Sequence, residues 1–386
     1  MRTKIFASIL LTVFAGLLPP TLRAQSGPHI VWQTNAHTLE VNSVNFSADS
    51  SRLASGSRDR HSKVWSVPGE QMLTDVYLST DMILSTALSS NGTYLATGGD
   101  NGRLCIWRVS DGSIYWQLSV IYGSIYATAF SPDGVHFADS RTEYEAYIRK
   151  ASNGAFVLRV DHGTTVNSIT FSPDGALLAS GGNDDIARIT RLADTNTLFT
   201  LTGHSADVIS VDFSPDGSLL LTGAADGTSR LWNITNGACV RVIEGAGGQA
   251  KFSANGKIFF TLNESLFQIW RVSNGALVGS ITNTGAFTFD VSKNGKYLAY
   301  AREDDNYFPV TPLVLAQTPL VLDAITRTGN ETVLNWQGGS GLYQLQSNTN
   351  FTTNGWQNLG PATTNTVATN VSSSTLFFRV QSLPNP

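Results

Sequence analysis

Short apolar runs alternate with polar turns along most of this chain, and the alternation itself recurs. An apolar strand ending in Ser meets a tight turn seven times. The copies are Phe46-Ser47-Ala48-Asp49, Leu88-Ser89-Ser90-Asn91-Gly92, Phe130-Ser131-Pro132-Asp133-Gly134 and Phe171-Ser172-Pro173-Asp174-Gly175. Then follow Phe213-Ser214-Pro215-Asp216-Gly217, Phe252-Ser253-Ala254-Asn255-Gly256 and Val291-Ser292-Lys293-Asn294-Gly295. Successive serines lie 42, 42, 41, 42, 39 and 39 residues apart. A period near forty marks a repeat architecture.

Each copy has one internal plan. Val208-Ile209-Ser210-Val211-Asp212-Phe213 enters the turn, and Pro-Asp-Gly or Asn-Gly supplies the turn geometry. Leu219-Leu220-Leu221-Thr222 follows, then a run ending Leu231-Trp232, then Cys239-Val240-Arg241-Val242-Ile243. Four short antiparallel strands make one blade. A lone blade leaves both faces bare, whereas a closed ring covers the faces and limits the edges. The predicted fold is all-β: a seven-bladed β-propeller over residues 25–317, followed by a small C-terminal antiparallel β-sandwich over residues 318–386. A spare strand-like run, His29-Ile30-Val31-Trp32-Gln33, precedes the first copy. It is expected to supply the outer strand of the last blade and so close the ring.

The details resemble the WD40 family. Trp65, Trp107, Trp232 and Trp270 follow their turn serines by 18, 18, 18 and 17 residues, and His37, His162 and His204 each precede theirs by ten. The resemblance implies structural tetrads of His, Ser/Thr, Asp and Trp. Two are complete: His37, Ser55, Asp59, Trp65 and His204, Thr222, Asp226, Trp232. A third is partial, with His162, Ser180, Asp184 and Thr190 at the Trp position. The second repeat keeps Thr97 and Trp107 with Asn101 for Asp, and the third has neither His nor Trp. Ser, His and Asp together also suggest a hydrolase triad. Their recurrence at blade spacing beside a Trp argues instead for a buried hydrogen-bond chain that stiffens the blade.

Charged residues are 14% of the chain and the net charge is −4. With no basic block, nucleic acid is excluded as an expected partner. No zinc-protease, phosphate-loop, Cys-x-x-Cys or Gly-x-Ser-x-Gly motif occurs, so no cofactor or metal centre is expected. Asp304 and Asp305 read as a solvated turn before they read as a Ca²⁺ site. Cys105 and Cys239 fall three blades apart, beyond disulfide reach, and are expected to be free thiols.

The first residues are Met1-Arg2-Thr3-Lys4, followed by an apolar run over residues 5–18 and then Leu22-Arg23-Ala24. This reads as a secretory signal occupying residues 1–24, cleaved after Ala24, and implies export to periplasm, cell surface or medium. The run is shorter than a bilayer span, and no membrane span is expected after cleavage. The tail from about Pro319 loses the period. It is similar to short fibronectin-III-like modules that end many secreted bacterial proteins. There Trp336 reads as core and Trp356 as a candidate sugar platform.

Function is therefore expected on a ring face. The face formed by second-to-third-strand turns and interblade links carries Arg58, Arg60, Tyr122, Tyr126, Arg141, Tyr144, Arg302, Asp304, Asp305 and Tyr307. Tyr and Arg are favoured at binding hot spots. The leading reading is a non-catalytic scaffold for a protein partner. Two rivals remain: a carbohydrate- or envelope-binding protein, with glycan taken by the tail, and a propeller hydrolase or lyase working at the central channel.

Overall fold

A computed structural model describes residues 30–78, 81–119, 123–141, 144–263, 266–281 and 286–302 of the repeat region. Outside these it describes strands at residues 8–14, 311–317, 321–328, 331–337, 343–348, 357–358, 366–370 and 375–382. Among the described residues there is no helix. Seven four-stranded antiparallel sheets form the repeat region. Blade five is typical, running Val208–Phe213, Leu219–Ala224, Thr228–Asn233 and Cys239–Glu244 from the centre outward. Blade three, the least regular in sequence, is a full blade whose first strand is cut to Thr128–Phe130.

The first strands touch one another in order around the centre, and the circle closes where Ala286–Val291 meets Val41–Phe46. The seventh blade is completed by the N-terminal run. Ile30–His37 pairs antiparallel with Thr311–Gln317, which pairs with Tyr297–Arg302 and so leads back to Ala286–Val291. First and last strands of the propeller thus share one sheet.

Apolar residues collect between blades rather than within them. One cluster joins Ala54, Val64 and Val76 of blade one to Ile83, Leu95 and Trp107 of blade two, and equivalent clusters fill the other six gaps. This is why a single repeat cannot hide its own apolar area. The close stacking fixes a small residue as well. Gly56, Gly98, Gly181 and Gly223 each follow the hydroxyl residue of their blade, and a Cβ there would meet atoms of the next blade at 2.2 to 2.5 Å.

The turn serine has a common task in all seven blades. Ser214 Oγ donates to Asp216 Oδ1 at 2.6 Å and accepts the Leu219 amide at 2.9 Å. Ser47, Ser89, Ser131, Ser172, Ser253 and Ser292 repeat both bonds with Asp or Asn two residues on. One hydroxyl therefore folds the turn and starts the second strand.

The tail is a small β-module of two antiparallel sheets. Thr375–Ser382 lies between Ser8–Phe14 and Tyr343–Asn348, and the latter also pairs with Gln357–Asn358. Glu331–Gln337 lies between Val321–Thr328 and Thr366–Asn370. The segment expected to be a leader is thus an edge strand here, and its removal leaves every other pairing of the module in place. Residues 15–29, with the expected cleavage point, and Trp356 lie outside the described residues, as does the Trp336 side chain.

Candidate functional site

The hydroxyl of each tetrad sits on a second strand, ten residues before the Trp on the third, while His arrives from the end of the preceding outer strand or the link after it. In blade five, Trp232 Nε1 donates to Thr222 Oγ1 at 2.9 Å, Thr222 meets His204 Nε2 at 2.7 Å, and His204 Nδ1 meets Asp226 at 2.8 Å. Blade one repeats the chain from Trp65 to Ser55 at 3.3 Å, to His37 at 2.8 Å, to Asp59 at 3.0 Å. The ionised carboxylate can only accept, so Nδ1 carries the proton that faces it, and Nε2 of the neutral ring accepts from the hydroxyl, whose oxygen accepts the indole N–H. Burial, the largest influence, lowers the pKa of both His37 and His204 against the pull of their aspartates. Burial pushes the Asp226 carboxyl up, but bonds from His204, Thr228 and Ser205 outweigh it and hold the group at about 2.

Blade four keeps His162, Ser180 and Asp184 but has Thr190 in place of Trp. His162 Nε2 lies 2.8 Å from Ser180 Oγ. Arg188 Nη1 lies 2.7 Å from His162 Nδ1 and also pairs with Asp184. His162 Nδ1 also lies 3.2 Å from Asp184 Oδ1, so the arginine bridges ring to carboxylate beside a hydroxyl that no indole occupies. Burial followed by the Arg188 charge lowers the pKa of His162.

These three histidines set an acid limit. Their folded pKa values lie below 6.5, so the unfolded chain takes up protons first as pH falls. Their stabilising effect is complete above about pH 6.5 and shrinks below it, by up to about 1.4 kcal/mol per pH unit for each ring. The expected outcome is a melting temperature that drops steadily from pH 7 to pH 5, before the carboxylates titrate. A flat profile over that interval, measured by circular dichroism, contradicts the neutral-imidazole assignment.

Blade three has its own solution, which the search for His and Trp could not reveal. Asp139 occupies the hydroxyl position and Arg149, ten residues on, the Trp position. Arg149 Nε donates to Asp139 Oδ1 at 2.6 Å and Arg141 Nε to Oδ2 at 2.8 Å. Both guanidinium groups lie near the Tyr147 ring, at 4.2 Å for Arg141 and 5.2 Å for Arg149. An ion triad replaces the indole–hydroxyl bond. The sign that could have found it is an acid and a base at tetrad spacing.

This corrects the expected binding face. Arg141 is 5% exposed and is a buried partner of Asp139, unavailable to a ligand on the surface. Arg58 and Tyr126 are exposed, Arg58 beside Glu40 at 3.1 Å, and Tyr144 is exposed with a φ of 76°. Arg60 also has positive φ, in the same kind of turn. Tyr122, Asp304, Asp305 and Tyr307 lie outside the described residues, as does the Arg302 side chain. Cys105 is buried and Cys239 exposed, both as free thiols. No group of His, Cys, Asp or Glu among the described residues is arranged to hold a metal ion.

The cavity of interest lies at the other mouth of the ring, where first strands enter their turns. It holds about 410 Å³ and takes residues from all seven blades. The residue two before each turn serine lines it: Asn45, Ala87, Ala129, Thr170, Asp212, Lys251 and Asp290. Three of these bind the next blade. Asn45 Oδ1 accepts the Leu88 amide, Asp212 Oδ2 the Phe252 amide and Asp290 Oδ2 the Phe46 amide, each at 2.8 Å. Lys251 lies between the two aspartates in blade order, its ammonium 3.9 Å from Asp212 Oδ1. Burial alone would lower its pKa, but Asp212 and Asp290 outweigh that and raise it. Burial raises the pKa of Asp290.

Comparison with known families matches this geometry. Residues 29–66, 75–108, 156–190 and 195–233 match the family described as WD domain, G-beta repeat. The ring is a seven-bladed propeller of WD40-like fold, four of whose repeats match that family. The third strands of blades one, two and five, and all but the last residue of that of blade four, fall inside the WD40 matches, and each match begins in the outer strand of the preceding blade or just before it. The matches leave out the first three strands of blade three, where the ion triad stands in the WD40 tetrad position. They also leave out blades six and seven up to the closing strand, which lack the WD40 histidine. Among curated proteins none matches the chain.

Proposed function

We propose that this WD40-like propeller is an exported, non-catalytic platform that binds a protein partner on the face of its second-to-third-strand turns. WD40 repeats suggest an interaction scaffold, and the hydroxyl, His and Asp of the tetrads in blades one and five are engaged in structural hydrogen bonds. The observation that carries the reading is the exposure of Arg58, Tyr126 and Tyr144 on that face, around a ring stiffened by buried networks. Such side chains present large contact area on a rigid support. Export rests on the basic start, apolar run and Leu22-Arg23-Ala24 of the sequence.

The test uses the full chain immobilised and exposed to the native envelope fraction. A specific protein is expected to be retained, and Tyr126→Ala with Tyr144→Ala is expected to weaken its capture about tenfold or more. Val240→Ser, on an outer strand, is expected to leave capture unchanged. Equal capture by the wild type and the tyrosine variant removes this face from consideration.

A further inference from the structure

At the ring position two before the turn serine, three of the five polar residues hold the neighbouring blade. Asn45, Asp212 and Asp290 each use one oxygen to hold the neighbouring blade. Lys251 holds no blade: among the described residues its ammonium makes no hydrogen bond, and its ion-pair distance of 3.9 Å exceeds hydrogen-bond reach. About a quarter of its side chain remains accessible, and it lines the cavity. The ammonium therefore presents its N–H donors toward the cavity.

The lining restricts what can meet those donors. Its charged groups are Asp212, Asp290, Lys251 and the rim residue Lys293, two of each sign, so the mouth is neutral overall. A metal cation meets the ammonium of Lys251; an inorganic anion meets the two carboxylates. A neutral molecule rich in hydroxyls meets neither objection. One hydroxyl accepts from Lys251 while donating to a carboxylate. The opposite wall is formed by Ala87 and Ala129, a surface for the C–H face of a ring. The volume of about 410 Å³ lies in the range of roughly 300–1,000 Å³ usual for small-molecule sites.

We propose that the channel mouth carrying Asp212, Lys251 and Asp290 is a binding site for a neutral monosaccharide-sized polyol. The site is distinct from the partner face and lies at the other mouth of the ring. Its polar half is set by blades five, six, seven and one, its apolar half by blades two and three.

The experiment is calorimetric titration of the full-length protein with D-glucose, D-galactose, D-mannose and myo-inositol. Glycine, glutamate, phosphate and Ca²⁺ form the comparison set. Saturable binding of at least one neutral polyol is expected. Lys251→Met is expected to lower its affinity about ten- to a hundredfold, the worth of a hydrogen bond to a charged group. Ala129→Leu fills the apolar wall without touching any charge and is expected to lower it at least as far. Melting curves identify any variant that fails to fold, and Ala129→Leu then decides alone, with Thr170→Leu as its replacement if needed. The proposal is overturned if no polyol binds the wild type, if only charged ligands bind, or if polyol affinity survives both substitutions. The last result places the polyol away from the channel mouth.

Discussion

Deleting residues 28–35 is expected to lower the melting temperature by about 10 °C. The segment forms most of the strand Ile30–His37, whose partners run from Ala316 back to Thr311. Five registered residues are lost, Ile30, Trp32, Gln33, Thr34 and Asn35. At about 1 kcal/mol net for each hydrogen-bonded residue the loss is about 5 kcal/mol. For a ring of this size that corresponds to a shift of about 10 °C. The loss acts on the whole circle, because the strand removed is what ties the first blade to the last. The measurement is thermal melting of the deletion variant with and without a peptide spanning residues 28–37. Recovery of the lost temperature by added peptide is the expected sign that the strand works by pairing. An unaltered melting temperature means that the inner-strand contacts alone hold the ring.

The second large effect is expected in blade three. Asp139→Ala leaves Arg141 and Arg149 buried with no carboxylate between them, at a cost of about 3–5 kcal/mol. Removing the pair as a unit should behave differently. Asp139→Ser with Arg141→Ser and Arg149→Trp installs the indole–hydroxyl bond found in blades one, two, five and six. Buried ion groups replaced by well-packed side chains often leave stability equal or improved. The triple variant is expected to melt close to wild type and the single variant well below it, by denaturant unfolding. If both fall together, the cost lies in shape rather than in stranded charge.

The contrast between blades shows what the sequence could convey. Period, blade number and the closing strand were legible because they rest on turn chemistry and apolar alternation, which act locally. The complete tetrads were legible because their residue types and spacings recur. The Asp139–Arg149 pair was not, because it keeps the spacing and changes both residue types. Arg141 sits beside a turn and reads as solvated, yet it folds back onto Asp139. The channel lining was hidden for another reason. The first strands of blades one, two, four, five and seven carry a register irregularity, as between Val208 and Ser210, so simple alternation does not tell which side chains face the axis. Only the side-by-side position of Asn45, Asp212, Lys251 and Asp290 reveals the common lining.

The shared seventh sheet also governs when the molecule can finish folding. His37 is paired with Thr311, 274 residues later in the chain. At about 5–20 residues per second of synthesis, the early segment waits roughly 14–55 s before its mate exists. Through that interval six blades can form in turn while the first strand stays unclaimed. Ring closure therefore waits for the last strand of the propeller, and a chain truncated before residue 311 has every repeat turn yet no means of fastening its ends.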